Sequence, residues 1–401
     1  MRIGIDACSW VNVRGYGRFT REVTRAMVRS DSDDDFIFFL DPASDERFDL
    51  DAPNVERVRV EQRVASTEAA RGGGSRPVRD MLTLTRAVGR SKPDVLFFPS
   101  VYTFFPVPRG VPSVVCIHDA IPERFPRLVL PSFKARLLWK AKVRLALMQT
   151  KRVLTVSEHA AGEISACLGV PREKISVAVE APAPIFRPSE SQADIEAAAH
   201  RAGLPAGVPW FIYVGGFSKH KHIDSIARAH ALVVEEIRSQ RTSADSETPP
   251  HLLLVGPSDS DSFHIDIDRV RHVIDEKGTD ELVHWPGFVP DEELRHLHSG
   301  ALALVMPSEC EGFGLPAVEA AACGAPVITT TASPLPQLLE GGGFFVDPGD
   351  EAALQAAMLA LATDSDRREQ FAGIARERAA ALSWEKAAAA TLQALREAAR
   401  D

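Results

Sequence analysis

The sequence has few cysteines, and none of them lies in a paired spacing. The five, Cys8, Cys116, Cys167, Cys310 and Cys323, form no C-x-x-C pattern. A disulfide framework and a structural zinc site are therefore not expected, and a reduced, cytoplasmic compartment fits best. No stretch approaches the ~20 apolar residues that a membrane-spanning helix needs. Nor does a signal peptide open the chain: Met1 leads straight into Arg2-Ile3-Gly4-Ile5-Asp6, which reads as a strand. Excess basic charge is also missing. With 46 Lys and Arg against 55 Asp and Glu, the net charge is −9, which argues against general nucleic-acid binding. What remains is a chain of 401 residues, 45% apolar and 25% charged. That is ordinary for a globular protein of two or three domains.

The most informative stretch is Met306 to Thr329. The apolar run Ala303 to Met306 reads as a buried strand. A loop follows with Glu309, Glu311, Gly312, Phe313, Gly314 and Leu315. A helix opens at Pro316, where a missing N–H costs nothing, and stops at Gly324. Pro326 to Thr329 begins the next strand. A helix N-terminus after a glycine loop offers N–H groups and a positive dipole end, a seat for phosphate. Glu311 stands just ahead of this helix, and Glu319, eight residues later, falls in its first turn. Carboxylates beside a phosphate would repel it, so they are read as acceptors for hydroxyls of a sugar or ribose. The plainer alternative is a Gly-Pro loop carrying solvated glutamates.

Along the chain, strands alternate with helices. Ile3 to Ala7, Phe36 to Leu40, Val55 to Val60, Asp94 to Phe98, Ser113 to Ile117, Arg152 to Val156 and Ile175 to Val179 read as strands. Continuous apolar runs such as Asp94 to Phe98 mark a parallel sheet covered on both faces. Gly15-x-Gly17 precedes a helix, but Thr20 replaces the third glycine of a dinucleotide fingerprint, so a dehydrogenase is disfavoured. Gln62 to Arg76 has no period and reads as a mobile loop. His118 follows a strand end, where ligand loops belong. Phe133 to Lys151 reads as a helix with Lys134, Arg136, Lys140, Lys142, Arg144 and Lys151 on a basic face and Leu137, Leu138, Leu145 and Met148 on the apolar side. A solvated face is the ordinary reading; contact with anionic lipid or a polyanionic acceptor is the sharper one.

The Pro-rich Glu180 to Pro188 reads as a linker, after which the alternation restarts. Trp210 to Val214, Leu252 to Val255, Leu282 to Trp285 and Phe344 to Asp347 read as strands. Gly215, Gly216 and Lys221 form a glycine loop with a basic residue at a helix start, a candidate diphosphate clamp. Gly256 closes the next strand, and Phe288 and Val289 follow another. Gln240 to Pro250 reads as an insertion. The D-x-D strings at Asp31, Asp259 and Asp266 lie in polar turns and are read as solvated, so no metal is expected.

The segment EGFGLPAVEAAACGAPVI closely resembles the E-x7-E signature of retaining glycosyltransferase family 4. HDAIPERFP from His118 resembles that family's HDxxPxxFP segment, and Gly15 to Glu22 its GxGRxxxEL turn. The resemblance covers nearly the whole chain and is densest from Trp210 to Pro348. It implies an α/β fold of GT-B architecture, with two Rossmann-like domains facing each other across a cleft. Residues 1–185 would bind the acceptor, 186–382 the nucleotide sugar, and 383–401 would form a helix packing back on the first domain. By resemblance Glu311 contacts sugar hydroxyls, Glu319 the ribose, and Lys221 the leaving diphosphate, with His118 near the reacting centre. Gly15, Gly17, Gly215, Gly216, Gly256, Phe288, Val289, Gly312, Phe313, Gly314 and Leu315 complete the donor-binding set. The family's arginine beside the lysine is missing, with Lys219 or His220 as substitutes. The turn at Glu180 departs from the family's Asn-Gly-Val-Asp-like turn.

The expected reaction is metal- and cofactor-independent hexosyl transfer from a nucleoside-diphosphate sugar to a glycan or glycolipid, as in polysaccharide biosynthesis. HDAIPERFP and TTTASPLPQLL look most like mannosyltransferases using GDP-mannose. A nucleotide-sugar epimerase or phosphorylase on the same fold, and a non-catalytic sugar-nucleotide-binding protein, are the alternatives. Peripheral contact of the basic helix with the inner face of the membrane is a further expectation.

Overall fold

In a computed structural model, residues 1–64, 76–130, 132–239, 248–257 and 266–401 are described. Most of the Gln62–Arg76 and Gln240–Pro250 stretches, and the Asp259 to Asp261 string, lie outside the described residues. The chain divides into two compact units, Met1–Glu180 with Ser383–Asp401, and Ala181–Leu382. The sequence-read linker boundary at 185 lies five residues beyond this division.

The first unit carries β1 (Arg2–Asp6), β2 (Asp35–Leu40), β3 (Val55–Arg59), β4 (Val95–Phe98), β5 (Ser113–Cys116), β6 (Arg152–Thr155) and β7 (Ile175–Val177). The second carries β8 (Trp210–Val214), β9 (His251–Val255), β10 (Val283–Gly287), β11 (Ala303–Met306), β12 (Val327–Thr330) and β13 (Gly343–Val346). Among the described residues the strand orders are β3-β2-β1-β4-β5-β6-β7 and β10-β9-β8-β11-β12-β13. Every ladder is parallel. The apolar runs of β4 and β11 are buried at every position, as a doubly covered sheet requires. These are doubly wound, Rossmann-like sheets. In such sheets ligands bind at the carboxyl ends of the strands where the order reverses. That point falls between β1 and β4 in the first unit and between β8 and β11 in the second.

Helix termini sit close to the sequence signals. Ser383 caps the last helix, Trp384–Arg400, by accepting from Lys386 N at 3.2 Å. Its alanines let it lie close against β4, β5, β7 and the Gly15–Arg29 helix of the first unit. Gly15-x-Gly17 does not precede its helix but opens it, since the helix runs Gly15–Arg29. Gly17 is therefore inside the first turn, and its missing side chain lets Asn12 approach: a Cβ there would lie 2.1 Å from Asn12 O.

The basic helix, Phe133–Gln149, is turned differently from the sequence reading. Leu137, Leu138 and Met148 are exposed, and Val143 and Ala146 are buried. The buried stripe runs through Trp139, Val143, Ala146 and Leu147 at i, i+4, i+7 and i+8, with Leu145 packed beside it as read, which carries Lys142 inward and Leu137 and Leu138 outward.

Leu395 is fully buried on the first unit. Leu395→Ala should destabilise that unit by about 3 kcal/mol, the usual cost of a deleted core leucine. Urea unfolding checks this; a shift below about 0.5 kcal/mol would mean that the helix does not pack there as described.

Candidate functional site

In the second unit the loops after β8 and β11 emerge on either side of the order reversal. Gly215 has no room for a side chain, since a Cβ would meet Tyr213 Oη at 2.7 Å. A Cβ on Gly256 would lie 2.0 Å from Gly215 O. These two glycines bring the ends of β8 and β9 together. Gly216 borders open space, with nothing within 4 Å of an added Cβ. Lys221 closes a short 3-10 turn, Lys219–Lys221, and His222 turns left-handed (φ 51°) before the Ile223–Ser239 helix. Lys221 thus sits ahead of that helix rather than in its first turn.

The lysine loop and the glutamate loop are laced together. Glu309 N donates to His220 O at 2.7 Å, and His222 Nε2 lies 2.9 Å from Glu309 Oε2. At the centre, Lys221 Nζ pairs with Glu311 Oε1 at 2.5 Å, and Ser308 Oγ donates to the same oxygen at 2.6 Å. Glu311 N donates to Ala332 O, tying in the loop after β12. Among the described residues neither Lys221 nor Ser308 uses Oε2. The structure therefore joins Glu311 and Lys221 in one cluster, and adds Ser308, which the sequence did not single out. A serine three residues before the motif's first glutamate was the available signal.

Neither substitute for the arginine is well placed to share this charge. Lys219 is exposed. Burial pushes the His220 imidazole well below its usual pKa, and the Lys221 charge pushes it further, so this ring is neutral near pH 7.

The helix after the motif runs Leu315–Ala322, capped by Gly314 at φ 97°. Leu335 Cδ1 lies 2.8 Å from where a Gly314 Cβ would stand. Pro316 has no N–H to offer, and Ala317 N donates to Gly314 O, so this terminus holds fewer free donors than an ordinary helix start. Glu319 is the fifth helical residue, one position further into the helix than read from the sequence, and is buried beside Cys323. Burial, and then the Glu319 charge, push the Cys323 thiol up to about 12. Phe313, Leu315 and Val289 are buried, Gly312 is half-buried, and Phe288 stands exposed after β10. Among the described residues no group of three or more His, Cys, Asp and Glu is arranged to hold a metal. Asp266 and Asp268 flank the buried Ile267 at a helix start.

Gly15, Gly17 and His118 belong to the first unit. Gly15 opens its helix in solvent. His118 stacks edge-on against Phe19 at 5.0 Å. Its Nε2 lies 2.9 Å from Pro99 O, and its Nδ1 lies 3.6 Å from Glu180 Oε1. A carbonyl can only accept, so Nε2 carries the hydrogen. In the neutral ring, Nδ1 would then point a lone pair at the carboxylate. Burial pushes the imidazole down, but Cys116 and Glu180 more than offset it, and the pKa stands well above the usual histidine value. Burial raises the Glu180 carboxyl as well, against the charges of His118 and Arg18. The Glu180 carboxylate favours the charged ring, and the charged ring in turn favours the carboxylate. Glu180, in the turn that departs from the family pattern, is thus a partner of the histidine.

The comparisons fit this geometry. Residues 14–178 match the model of the glycosyl transferase 4-like domain, and residues 194–378 that of glycosyl transferases group 1. The chain is 30% identical over 250 residues to O-antigen chain mannosyltransferase B of Escherichia coli, covering 62% of this chain and 61% of that one. It is 30% identical to D-inositol 3-phosphate glycosyltransferase of Thermomonospora curvata, covering 50% of this chain and 46% of that protein. The matches thus span between about half and three fifths of these relatives' lengths. Among solved structures, sucrose-phosphate synthase from Thermosynechococcus elongatus superposes with a TM-score of 0.74 at 20% identity, covering 99% of this chain and 98% of that one. HepE from Anabaena, solved with UDP and glucose, gives 0.70 at 17% identity, covering 99% of both chains. At such identities the likeness shows the fold, which is GT-B.

Glu180→Gln removes the carboxylate that raises His118. The His118 ring proton, followed by NMR, should then titrate at a lower pH than in the wild type. The sign for stability follows. A raised histidine pKa contributes stability that is full below its ordinary value of about 6.5 and is lost as pH rises through the raised value. That loss should be smaller in the variant, where Cys116 alone still raises the ring. An unchanged titration would mean that Glu180 does not hold the proton.

Proposed function

The chain belongs to the family 4-type glycosyltransferases, and we propose that it is a retaining hexosyltransferase acting from a nucleoside-diphosphate sugar without a divalent metal. The observation that carries this reading is the Lys221–Glu311–Ser308 cluster at the order reversal of the second unit. A diphosphate departing from the anomeric carbon accumulates negative charge on its bridging oxygen. A fixed ammonium stabilises that charge more in the transition state than in the ground state. Glu311 orients Lys221 through one oxygen, and its second oxygen is available to a sugar hydroxyl. Glu319 takes the ribose hydroxyls and Phe288 lies by the base.

No carboxylate in this cluster is posed as a nucleophile for a double displacement. A front-face route, in which the leaving phosphate takes the acceptor's proton, is consistent with retention. His118 and Glu180, in the acceptor-binding unit, hold their proton next to the start of the Gly15–Arg29 helix. Mannose from GDP-mannose is the proposed donor. Its support is the HDAIPERFP segment and the similarity to O-antigen mannosyltransferases of Escherichia coli and Salmonella typhimurium. The acceptor is a growing glycan or glycolipid.

We also propose that the Phe133–Gln149 helix rests on an anionic bilayer. Besides the inward Lys142 it carries four basic residues, Lys134, Arg136, Lys140 and Arg144, and no acid, in a chain of net charge −9. Phe133 is 79% exposed, Leu137 58%, Leu138 47% and Met148 78%. Interleaved cations and apolar side chains suit the headgroup boundary of anionic lipid. No helix among the described residues is long and apolar enough to cross a membrane.

Glu311→Gln should abolish transfer while the fold survives, because an amide cannot replace both carboxylate acceptors. Lys221→Ala should lower turnover about a hundredfold, the cost of one such donor, and weaken donor binding, whereas Lys219→Ala should do much less. Folding of Lys221→Ala needs its own check, since it leaves Glu311 unpaired. EDTA should leave activity intact; loss restored by magnesium would contradict the metal-free reading. If Lys219→Ala proved the more damaging change, the loop would act in a different register.

Co-sedimentation should show binding to vesicles containing phosphatidylglycerol and little binding to phosphatidylcholine alone. Leu137→Ser with Leu138→Ser should weaken it. Equal binding to both vesicles, or burial of this face in a dimer seen by ultracentrifugation, would overturn the membrane assignment.

A further inference from the structure

The order reversal of the first unit, between β1 and β4, holds a second charged cluster. The 3-10 turn Val101–Thr103 follows β4. Its successive carbonyls anchor two cations from different elements: Lys142 Nζ donates to Tyr102 O at 3.1 Å, and Arg76 Nη1 donates to Thr103 O at 3.0 Å. Arg76 Nη2 is buried with no hydrogen-bond partner. Neither cation forms an ion pair among the described residues, in a chain with nine more acids than bases. Burial, and then the Arg76 charge, pull the Lys142 ammonium down to about 8. Asp6, at the end of β1, is the carboxyl that answers Arg76, but burial raises its pKa and holds it towards the neutral form. Its Oδ2 is also buried without a partner. Like charges brought together below a surface are costly unless an anion joins them.

The same turn carries a run of aromatic rings. Tyr16 stacks on Tyr102 at 5.2 Å, and Tyr102 meets Trp139 at 5.0 Å. Two of the chain's three tyrosines are in this run. All three rings are half-buried. Half-exposed aromatic faces beside a cation pair suit an acceptor that is part sugar and part anion.

We propose that Arg76 and Lys142 form an anion subsite in the acceptor unit, which takes a phosphoryl group carried by the acceptor. The subsite rests on the transferase reading for its purpose, but not for its chemistry. A phosphoryl oxygen placed there accepts from Arg76 Nη2 and from the Lys142 ammonium. It adds counter-charge for the two cations beside the buried Asp6 carboxyl. This assigns Lys142, counted from the sequence with the solvated basic face, to the interior.

The test uses the full chain saturated with a nucleoside diphosphate, so that the donor site is filled. Inorganic phosphate is titrated calorimetrically into wild type, Arg76→Met, Lys142→Met, Lys142→Arg and Asp6→Asn. Binding should weaken at least about tenfold in each methionine variant, as loss of one charge-assisted hydrogen bond requires. Lys142→Arg should retain it, and Asp6→Asn should bind as well as wild type or better. Circular dichroism confirms that each variant is folded. A soluble hexose phosphate and a short-chain phospholipid, measured on wild type and Lys142→Met, distinguish the two carriers; sensitivity of either to Lys142→Met supports the subsite.

The proposal is overturned if phosphate binds the methionine variants as it binds wild type. It is also overturned if Arg76→Met and Asp6→Asn are strongly coupled in a double-mutant stability cycle, which would make Asp6 the counter-ion of Arg76. Phosphate binding with no sugar transfer would refute the transferase reading alone, and transfer without phosphate binding the subsite alone.

Discussion

The ion pair between Lys221 and Glu311 is the constraint on which the second unit's site depends. An ammonium and a carboxylate this close and this shielded stabilise each other, whereas either one alone would be costly. Holding them together requires the loops after β8 and β11 to meet. The backbone link from Glu309 to His220 and the His222–Glu309 contact hold them there. The glycines at 215 and 256 let the ends of β8 and β9 close up beside this link, since a side chain at either would push those two strand ends apart. Parallel pairing places β8 beside β11, so that the loops leave the sheet on one edge. Sheet topology, glycine placement and charge pairing therefore support one arrangement.

The first unit stores its polar groups differently. His118 faces Glu180 across 3.6 Å, and the cations at Arg76 and Lys142 meet on the carbonyls of one turn. Both clusters lie at carboxyl ends of strands, where backbone geometry forces the chain out of the sheet. The last helix closes this unit with alanines that allow near contact, and Leu395 is fully buried on the same helix. The rigidity of the sheet below is what lets shielded charges persist above it.

Much of the fold was legible in the sequence because parallel strands buried on both faces read as short apolar runs. Trp210–Val214 and Ala303–Met306 were bounded to the residue. Glu311 and Lys221 stood out because glycines and proline marked their loops. Other features were hidden because they depend on contacts between distant segments. Glu180 and His118 are 62 positions apart, and Ser308 looks like any loop serine. The basic helix was misread for a different reason. Its leucines invite burial, yet its position on the sheet is set by Trp139 and Val143, and the periodicity of so evenly mixed a helix did not choose between the faces.

The central claim is that the second unit holds a sugar nucleotide through its diphosphate, and thermal-shift titration of the full chain measures it directly. GDP-mannose, UDP-glucose and ADP-glucose are each titrated against wild type and against the charge-neutral double variant Lys221→Gln, Glu311→Gln. The account predicts that one sugar nucleotide raises the wild-type melting temperature progressively with concentration, as mass action requires. The folded double variant should show little shift. Equal shifts in both proteins, or no shift with any sugar nucleotide, would contradict it.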